Sequence, residues 1–370
     1  MRAAAEMDLY VRTETVELCR EEDPFILECG QAIAPLTVAY ETYGTLNTDG
    51  TNAILICHAL TANAHASGYH EPNEKDPGWW DGLIGPGKAF DTERFFVVSP
   101  NILGSCYGTT GPTSLNPKTG DAYRASFPPI TVRDIVKVQK LLLDHLGVSR
   151  LATLSGSSLG GMQVVEWGIM YPDFCETIIP ISTAAQQTAW CIALNSIARA
   201  AITGDPEWNG GDYRRQPAKG LSLARMVGMT SYRSAEEFEK RFGRERKAGG
   251  RFDVGNQFQV ESYLHHQGAK LVDRFDANTY VCLSRATDMH DVAYGRGSLE
   301  NALGSIRARA LCIGVSSDAR YPTTDQKELV RRIPEARYEE IESIHGHDAF
   351  LIEFDQLGSI ISEFLERELQ

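Results

Sequence analysis

Short apolar runs that alternate with helical stretches constrain the fold of this chain more than any other feature. Residues 151–154 are typical of a strand, a glycine-rich turn follows, and a helix extends from about residue 160 to Met170. Pro172 ends that helix, and residues 178–181 form the next apolar run. Strand, helix and strand in this order predict an α/β fold with a mostly parallel central sheet.

Other segments extend the same pattern. The continuous apolar run at residues 53–57 is typical of a strand that is buried on both faces of a parallel sheet. Thr131 and Asp134 have the spacing of a capping box, with Asp in place of Glu or Gln, and predict the start of a helix that Gly147 stops. Further strands are predicted at residues 36–40, 95–99, 310–315 and 337–341, and a closing helix at residues 349–365.

The pattern changes in the middle of the chain. Between about residues 184 and 301 helical periodicity dominates, and the apolar spacing of Met226, Met229, Tyr232 and Phe238 predicts one helical stretch there. The strand pattern then returns. We therefore predict one α/β core made of residues 1–183 and 302–370, with a helical lid domain at residues 184–301 inserted into it.

Composition excludes several classes of protein. The 370 residues include 36 Lys and Arg against 49 Asp and Glu, and the net charge of −13 argues against non-specific nucleic-acid binding. No apolar run reaches the ~18 residues that span a bilayer, and no secretory signal is expected because Glu6 and Asp8 interrupt the N-terminal segment. The eight cysteines are scattered without a C-x-x-C pair, which predicts reduced thiols in a cytoplasmic protein.

A candidate nucleophile lies in the turn between the predicted strand at 151–154 and the helix that follows it. Ser158 is flanked by Gly156 and Gly160, and small neighbours two positions away are what a strained nucleophile turn between strand and helix requires. Ser155 and Ser157 lack this pair of flanking glycines. The alternative interpretation is a glycine-rich turn without chemistry that binds a phosphate.

A serine hydroxyl needs a base, and the base needs a carboxylate to orient it. Asp318 follows the predicted strand at 310–315, and His345 and His347 follow the next predicted strand. The order Ser, Asp, His is that of α/β-hydrolases. The residues alone do not separate His345 from His347 as the base.

The segment after the predicted strand at 53–57 supplies a second element of such a site. An oxyanion hole of this class takes one backbone N–H from the residue after the nucleophile and one from the loop after an earlier strand, which predicts Leu159 and Leu60. His58, His65 and His70 lie nearby, but no H-E-x-x-H motif accompanies them, and we expect no metal site.

Taken together, these residues resemble the homoserine O-acyltransferases of methionine biosynthesis, an α/β-hydrolase family. The resemblance extends from about residue 36 to the C-terminus. The matching segments include YETYGTLN at 40–47, CHALT at 57–61, GWWDG at 78–82, residues 84–87, 101–104, 107–108, 110–112, 161–163 and 210–213, QVESYL at 259–264 and GHDAFL at 346–351.

The resemblance implies a role for each matching residue. It implies Ser158 as nucleophile, Asp318 as acid and His347 as base, and it implies that Arg225 and Asp348 hold the amino-acid substrate. Homoserine is a zwitterion, so an Arg can pair its carboxylate and an Asp its ammonium group. The resemblance further implies acyl-CoA as cosubstrate without another cofactor, ping-pong transfer through an acyl-serine, and a homodimer formed through the lid.

Two features leave the substrates open. The turn has Ser157 where the family has Gly, and serine-using relatives exist, so serine is the alternative acceptor. Arg320 follows Asp318 by two positions, as in family members that use succinyl-CoA, whereas acetyl-CoA users tend to have Leu there. A guanidinium can pair the free carboxylate of a succinyl group, which favours succinyl-CoA over acetyl-CoA. The competing interpretation of Arg320 is a solvent-facing loop residue.

Two further functions compete with acyl transfer to an amino acid. An esterase or thioesterase would use the same three side chains with water as acceptor, and a lid that excludes water would favour transfer. A catalytically inactive binding protein is disfavoured because all three positions are chemically intact.

Overall fold

The computed structural model describes residues 10–247 and 258–369. An eight-stranded sheet with the order β1-β2-β4-β3-β5-β6-β7-β8 lies at the centre. The strands are β1 Glu14–Cys19, β2 Leu36–Tyr43, β3 Ala53–Cys57, β4 Phe96–Pro100, β5 Leu151–Ser157, β6 Cys175–Ile181, β7 Arg309–Val315 and β8 Ala336–Ile341.

Strand direction follows the prediction of a mostly parallel sheet. The strands from β3 to β8 run parallel to one another, while β2 pairs antiparallel with both β1 and β4. Every residue of β3 and β5 is buried, as expected for strands covered on both faces. The carboxyl ends of the parallel strands therefore meet at one edge, where such sheets bind ligands.

Helices cover the sheet and fill the connection between β6 and β7. They are α1 Val132–His145, α2 Leu159–Met170, α3 Ala189–Thr203, α4 Ala218–Tyr232, α5 Ala235–Phe242, α6 Gln259–Val272, α7 Ala277–Asp288, α8 Leu299–Leu303, α9 Thr323–Arg332 and α10 Phe354–Glu368. No helix in the described ranges is long and apolar enough to cross a membrane.

The capping box at the start of α1 is confirmed. Thr131 Oγ1 accepts from the backbone N–H of Asp134, and the Asp134 carboxylate accepts from the backbone N–H of Thr131. Asp serves here because its carboxylate also accepts the backbone N–H of Glu28, which fixes the N-terminal segment to this helix.

Two sequence predictions differ from the structure, and one strand was not predicted. The single helical stretch through Phe238 is wrong, because α4 ends at Tyr232 and Ser234 caps a new helix by accepting from the Glu237 N–H. The closing helix begins at Phe354 rather than 349, since a 3₁₀ turn at Gly346–Leu351 precedes it. The strand that was not predicted is the edge strand β1.

The sheet separates two hydrophobic clusters. Ala53, Leu55 and Cys57 of β3 pack into the cluster that contains Trp167, whereas Ile54 and Ile56 pack into the cluster that contains Trp80, because successive side chains of a strand point to opposite faces.

One close backbone approach fixes how β3, β5 and α2 meet. A Cβ atom added to Gly156 would lie 2.6 Å from the carbonyl oxygen of Cys57, and one added to Gly160 would lie 2.1 Å from the same oxygen. No side chain fits at either position without a backbone shift. The two glycines therefore let the turn at Ser158 pack directly on the end of β3.

We expect Gly160→Ala to reduce the free energy of unfolding by about 1–3 kcal/mol or more, because the added methyl group must displace the Cys57 backbone. Urea denaturation at equilibrium measures this change. The matched control is Gly358→Ala in α10, where the nearest atom would lie 3.5 Å away. That substitution should be neutral or stabilising by about 0.5–1 kcal/mol. Equal effects of the two substitutions would contradict the account of this contact.

Candidate active site

Ser158 occupies a strained turn between β5 and α2. Its φ of 57° and ψ of −122° lie in a region that residues other than glycine rarely adopt. The Ser158 N–H donates to the carbonyl oxygen of Ile181 at 3.0 Å, and Thr183 Oγ1 donates to the Ser158 carbonyl at 2.9 Å. The end of β6 thus holds the turn from both sides and presents the hydroxyl at the carboxyl edge of the sheet.

Asp318 and His347 come from the loops that follow β7 and β8. His347 Nδ1 lies 2.7 Å from Asp318 Oδ2, and both side chains are buried. The other carboxylate oxygen of Asp318 accepts the backbone N–H groups of Arg320 at 2.7 Å and Tyr321 at 3.0 Å. Both carboxylate oxygens of Asp318 are therefore hydrogen-bonded. Because Nδ1 of His347 faces Asp318, Nε2 is the ring nitrogen that remains free.

His345, the other candidate base, faces a different partner. Its Nδ1 lies 3.4 Å from Glu237 of α5 and its Nε2 lies 4.0 Å from Glu353. Neither nitrogen approaches Asp318. Of the two histidines, the structure joins only His347 to the predicted acid.

Ser158 and His347 line one cavity of about 550 Å³. In the described part of the chain no hydrogen bond joins their side chains, a link that often tightens only when substrate binds. The predicted residues Leu60, Leu159, Arg225, Arg320 and Asp348 line the same cavity. With Asp318 bonded to His347, the site residues predicted by the resemblance lie together, and His345 lies apart from them.

The loop that carries Leu60 is held by buried polar side chains. His58 Nε2 accepts the backbone N–H of Ile102 at 3.0 Å, which makes Nδ1 the protonated nitrogen. Burial of the imidazole lowers the pKa of His58 to about 4, so the ring is neutral. Gln163 Nε2 donates to the carbonyls of His58 at 3.3 Å and Leu159 at 3.0 Å, tying both loops of the predicted oxyanion hole together.

Arg225 and Asp348 place opposite charges on the cavity wall. The Arg225 guanidinium lies 5.4 Å from the centre of the Tyr232 ring, and Asp348 Oδ2 lies 3.1 Å from Arg233 Nε. Burial raises the pKa of the Asp348 carboxyl, and the neighbouring arginines oppose that shift. Arg233 also pairs with Glu237 at 3.1 Å, so it holds Asp348 from the lid side.

Arg320 is not a solvent-facing loop residue. It is 5% exposed, and its guanidinium donates to Ser231 Oγ at 3.1 Å and to Asn195 Oδ1 at 2.8 Å. Within residues 10–247 and 258–369, no carboxylate lies within 4.0 Å of its guanidinium nitrogens. A buried, oriented cation without a counter-charge therefore faces the cavity.

Comparison with known proteins places this geometry in a family. A family model described as the alpha/beta hydrolase fold matches residues 52–354. The chain is 52% identical over 350 residues to the homoserine O-acetyltransferase of Moorella thermoacetica, covering 92% of this chain and 93% of that one. The chain belongs to the homoserine O-acyltransferase family.

Solved structures agree with this membership. The crystal structure of homoserine O-acetyltransferase from Bacillus anthracis superimposes with a TM-score of 0.90 at 34% identity, covering 98% of this chain and 99% of that chain. The crystal structure of esterase E22 superimposes with a TM-score of 0.89 at 31% identity, covering 96% of this chain and 100% of that chain. The fold of this homoserine O-acyltransferase family member is thus shared with an esterase.

Sequence reasoning missed several residues that shape the cavity of this family member. Tyr232 lies 5.3 Å from the Arg320 guanidinium and 6.0 Å from the His347 ring, and Arg233 contacts Asp348. Asn195 and Ser231 orient Arg320. All four lie on or beside the lid helices, far along the chain from their partners, and carry no local motif.

The histidines considered for a metal fall into two groups. His65 Nδ1 and His70 Nε2 lie 3.0 and 2.8 Å from the carboxylate of Glu41, whereas His58 is engaged elsewhere. Burial would raise the pKa of Glu41, but hydrogen bonds from His65, His70, Tyr43 and Thr13 outweigh it and lower that pKa to about 2. Among the described residues, Glu41, His65 and His70 bring three potential ligand atoms within 4.8 Å of one another, and that no metal binds here stays a prediction.

Proposed function

We propose that this protein transfers an acyl group from acyl-CoA to the side-chain hydroxyl of L-homoserine, a step of methionine biosynthesis. The hydrogen bond between Asp318 and His347, in a cavity that Ser158 also lines, carries the proposal. This set supplies an acid, a base and a nucleophile for acyl transfer. Relatives named homoserine O-acetyltransferase support homoserine as the acceptor.

The first half-reaction acylates the enzyme. His347 Nε2 removes the proton of Ser158 Oγ as the oxygen attacks the thioester carbonyl carbon. The C–S bond breaks, His347 returns that proton to the sulfur, and free coenzyme A leaves an acyl ester on Ser158. Asp318 stabilises the imidazolium that forms between the two proton transfers.

The oxyanion of each tetrahedral intermediate is assigned to the N–H groups of Leu60 and Leu159. Neither N–H has an acceptor within the described residues, and Leu159 is the first residue of α2, where the positive end of the helix dipole lies. Both donors are pre-oriented by the contacts of Gln163 with the two loops.

The second half-reaction uses the amino acid. His347 takes the proton of the homoserine hydroxyl, whose oxygen attacks the acyl carbon, and the proton passes to Ser158 Oγ as that ester bond breaks. Arg225 pairs the α-carboxylate and Asp348 pairs the α-ammonium group. Asp348 exchanges part of its interaction with Arg233 for the incoming ammonium group. Serine is the alternative acceptor.

We infer that succinyl-CoA is the donor, from the charge of Arg320. Arg320 is a buried guanidinium that already donates to Ser231 and Asn195 and lacks a carboxylate partner in the part of the chain described here. The free carboxylate of a succinyl group would compensate this charge. Acetyl-CoA is the alternative donor, because relatives at 52% and 49% identity are homoserine O-acetyltransferases.

A second candidate function is ester hydrolysis with the same three side chains. The structural similarity to esterase E22 favours it. Hydrolysis differs from transfer only in the acceptor, so product analysis with and without homoserine separates the two. The proposed transfer uses acyl-CoA as a cosubstrate and needs no metal or prosthetic group.

We also propose a cytoplasmic homodimer. All eight cysteines are free thiols, which suits a reducing compartment. On α3, Trp190 is 58% exposed and Ile197, seven residues later on the same face, is 56% exposed. An exposed apolar helix face of this kind is typical of a subunit interface.

Covalent catalysis is tested at Ser158. After mixing with acyl-CoA and no acceptor, mass spectrometry should find the acyl group on the peptide that contains Ser158, and Ser158→Ala should reduce kcat by roughly 10⁴-fold or more. The control is Ser157→Ala, because the buried Ser157 hydroxyl has no partner among the described residues. An acyl group on another peptide, with Ser158→Ala active at the wild-type rate, would overturn the assignment.

The donor is tested by Arg320→Leu. Loss of charge-assisted bonding to a carboxylate costs about 1.5–3 kcal/mol, so kcat/KM for succinyl-CoA should fall by roughly 10–150-fold. Acetyl-CoA should be spared or improved, because the substitution removes a buried cation. Arg320→Lys is the control that keeps the charge but not the planar fork. If kcat/KM fell equally for both donors, the role of Arg320 would be only to support its loop. A wild type that prefers acetyl-CoA would refute the succinyl proposal.

The dimer is tested by light scattering at micromolar concentration. The wild type should have the mass of two chains, and Ile197→Asp should shift the protein towards monomer because it places a charge in the apolar interface. Leu115→Asp is the control, since Leu115 is 66% exposed but lies outside the lid helices. A monomeric wild type would reject the proposal.

A further inference from the structure

The cations that line the cavity lack carboxylate partners for their side chains. They are Arg225, Lys270, Arg274 and Arg320, and in residues 10–247 and 258–369 no carboxylate lies within 4.0 Å of their side-chain nitrogens. The other half-buried arginines in these ranges pair with carboxylates, as Arg199 does with Asp288 at 2.6 Å and Arg296 with Glu166 at 2.8 Å. In a chain with 49 acidic and 36 basic residues, four such cations around one cavity point to an anionic ligand.

These cations differ in depth. Arg320 is buried and Arg225 is half-buried, whereas Lys270 and Arg274 are exposed. Positive charge therefore extends from the surroundings of His347 to the mouth of the cavity. A ligand that fits this distribution of positive charge has its reacting group near His347 and carries negative charge at the end that lies in the mouth of the cavity.

Lys270 lies in the last turn of α6, and Arg274 follows two residues after the helix ends at Val272. Arg274 is held in place, because one guanidinium nitrogen, NH1, donates to the Thr61 carbonyl at 2.6 Å and to the Tyr107 hydroxyl at 2.9 Å. Its Nε and NH2 groups have no acceptor among the described residues. The remaining N–H groups are thus available to an anion, and their direction is set before it binds.

Besides Asp348, the acidic residues that line the cavity lie on another segment. Glu74 and Asp76 belong to the connection between β3 and β4, and Glu74 accepts the backbone N–H of His70. Their charge would repel phosphate. An anionic ligand end is therefore directed to α6 and away from this connection.

We propose that Lys270 and Arg274 bind the phosphate groups at the nucleotide end of coenzyme A while its acyl end reaches Ser158. The inference rests on the proposed function, since it assumes an acyl-CoA donor. Neither side chain has a carboxylate partner, and phosphate oxygens would supply the missing negative charge. A guanidinium group is also suited to the geometry of a phosphate.

The experiment compares two donors that share the acyl thioester. Acyl-CoA carries the phosphates, and the corresponding acyl-N-acetylcysteamine does not. Lys270→Glu should raise KM for acyl-CoA by roughly tenfold or more and leave KM for acyl-N-acetylcysteamine within about twofold of wild type. Added salt should raise KM for acyl-CoA in the wild type and have less effect in the variant.

Arg274 needs its own comparison because it also supports the loop that contains Thr61. Arg274→Gln should lower kcat with both donors through that loop, and it should additionally raise KM for acyl-CoA alone. The effect on the loop is the same for both donors, so it cancels in the ratio of their kcat/KM values. Lys219→Gln is the matched control, because Lys219 is an exposed lysine of α4 that does not line the cavity.

Binding measurements keep the inference testable if no transfer is found. By calorimetry, coenzyme A should bind the wild type more tightly than pantetheine does, and Lys270→Glu should remove most of that difference. If transfer occurs but Lys270→Glu leaves the donor ratio unchanged, the phosphates bind elsewhere. If coenzyme A binds no more tightly than pantetheine, the phosphate-binding inference is wrong, whether or not the protein transfers acyl groups. If no donor supports transfer, the proposed function is wrong instead.

Discussion

The arrangement of the site depends on the close packing of the Ser158 turn against the end of β3. Gly156 and Gly160 leave room for the Cys57 carbonyl where any Cβ would collide with it. Because of this contact, the loop after β3 and the start of α2 lie side by side, and Gln163 can bond to both. Because protein interiors are densely packed, a shift at this contact would also displace the neighbouring elements.

The helices that connect β6 with β7 contribute charge to the cavity. Arg225 comes from α4, Arg233 follows that helix, and Arg320 is oriented by Asn195 of α3 and Ser231 of α4. The core supplies Ser158, Asp318 and His347 from strand ends, and the helices that connect β6 with β7 surround them with cations. The fold is shared with an esterase, and one fold can host different functions through the residues that surround its site.

Much of this architecture could be predicted because its signals are local. The alternation of apolar runs and helices gave the mostly parallel sheet, and the flanking glycines singled out Ser158 over Ser157. Boundaries were less accurate at α4, where Ser234 starts a new helix within an apolar spacing that looked continuous. The strand β1 was missed because its burial is only partial, so the chain carries a weak apolar pattern there.

The sequence by itself determined the order of strands and helices, the positions of Ser158 and Asp318 at strand ends, and the family to which the chain belongs. Tertiary structure decided which histidine meets Asp318, because His345 and His347 are two residues apart and only the path of the 3₁₀ turn directs one of them to the carboxylate. It also decided that Arg320 is buried without a counter-charge. His347 and Asp318 are 29 positions apart and Arg320 and Asn195 are 125 apart, and no local pattern of residues encodes such contacts.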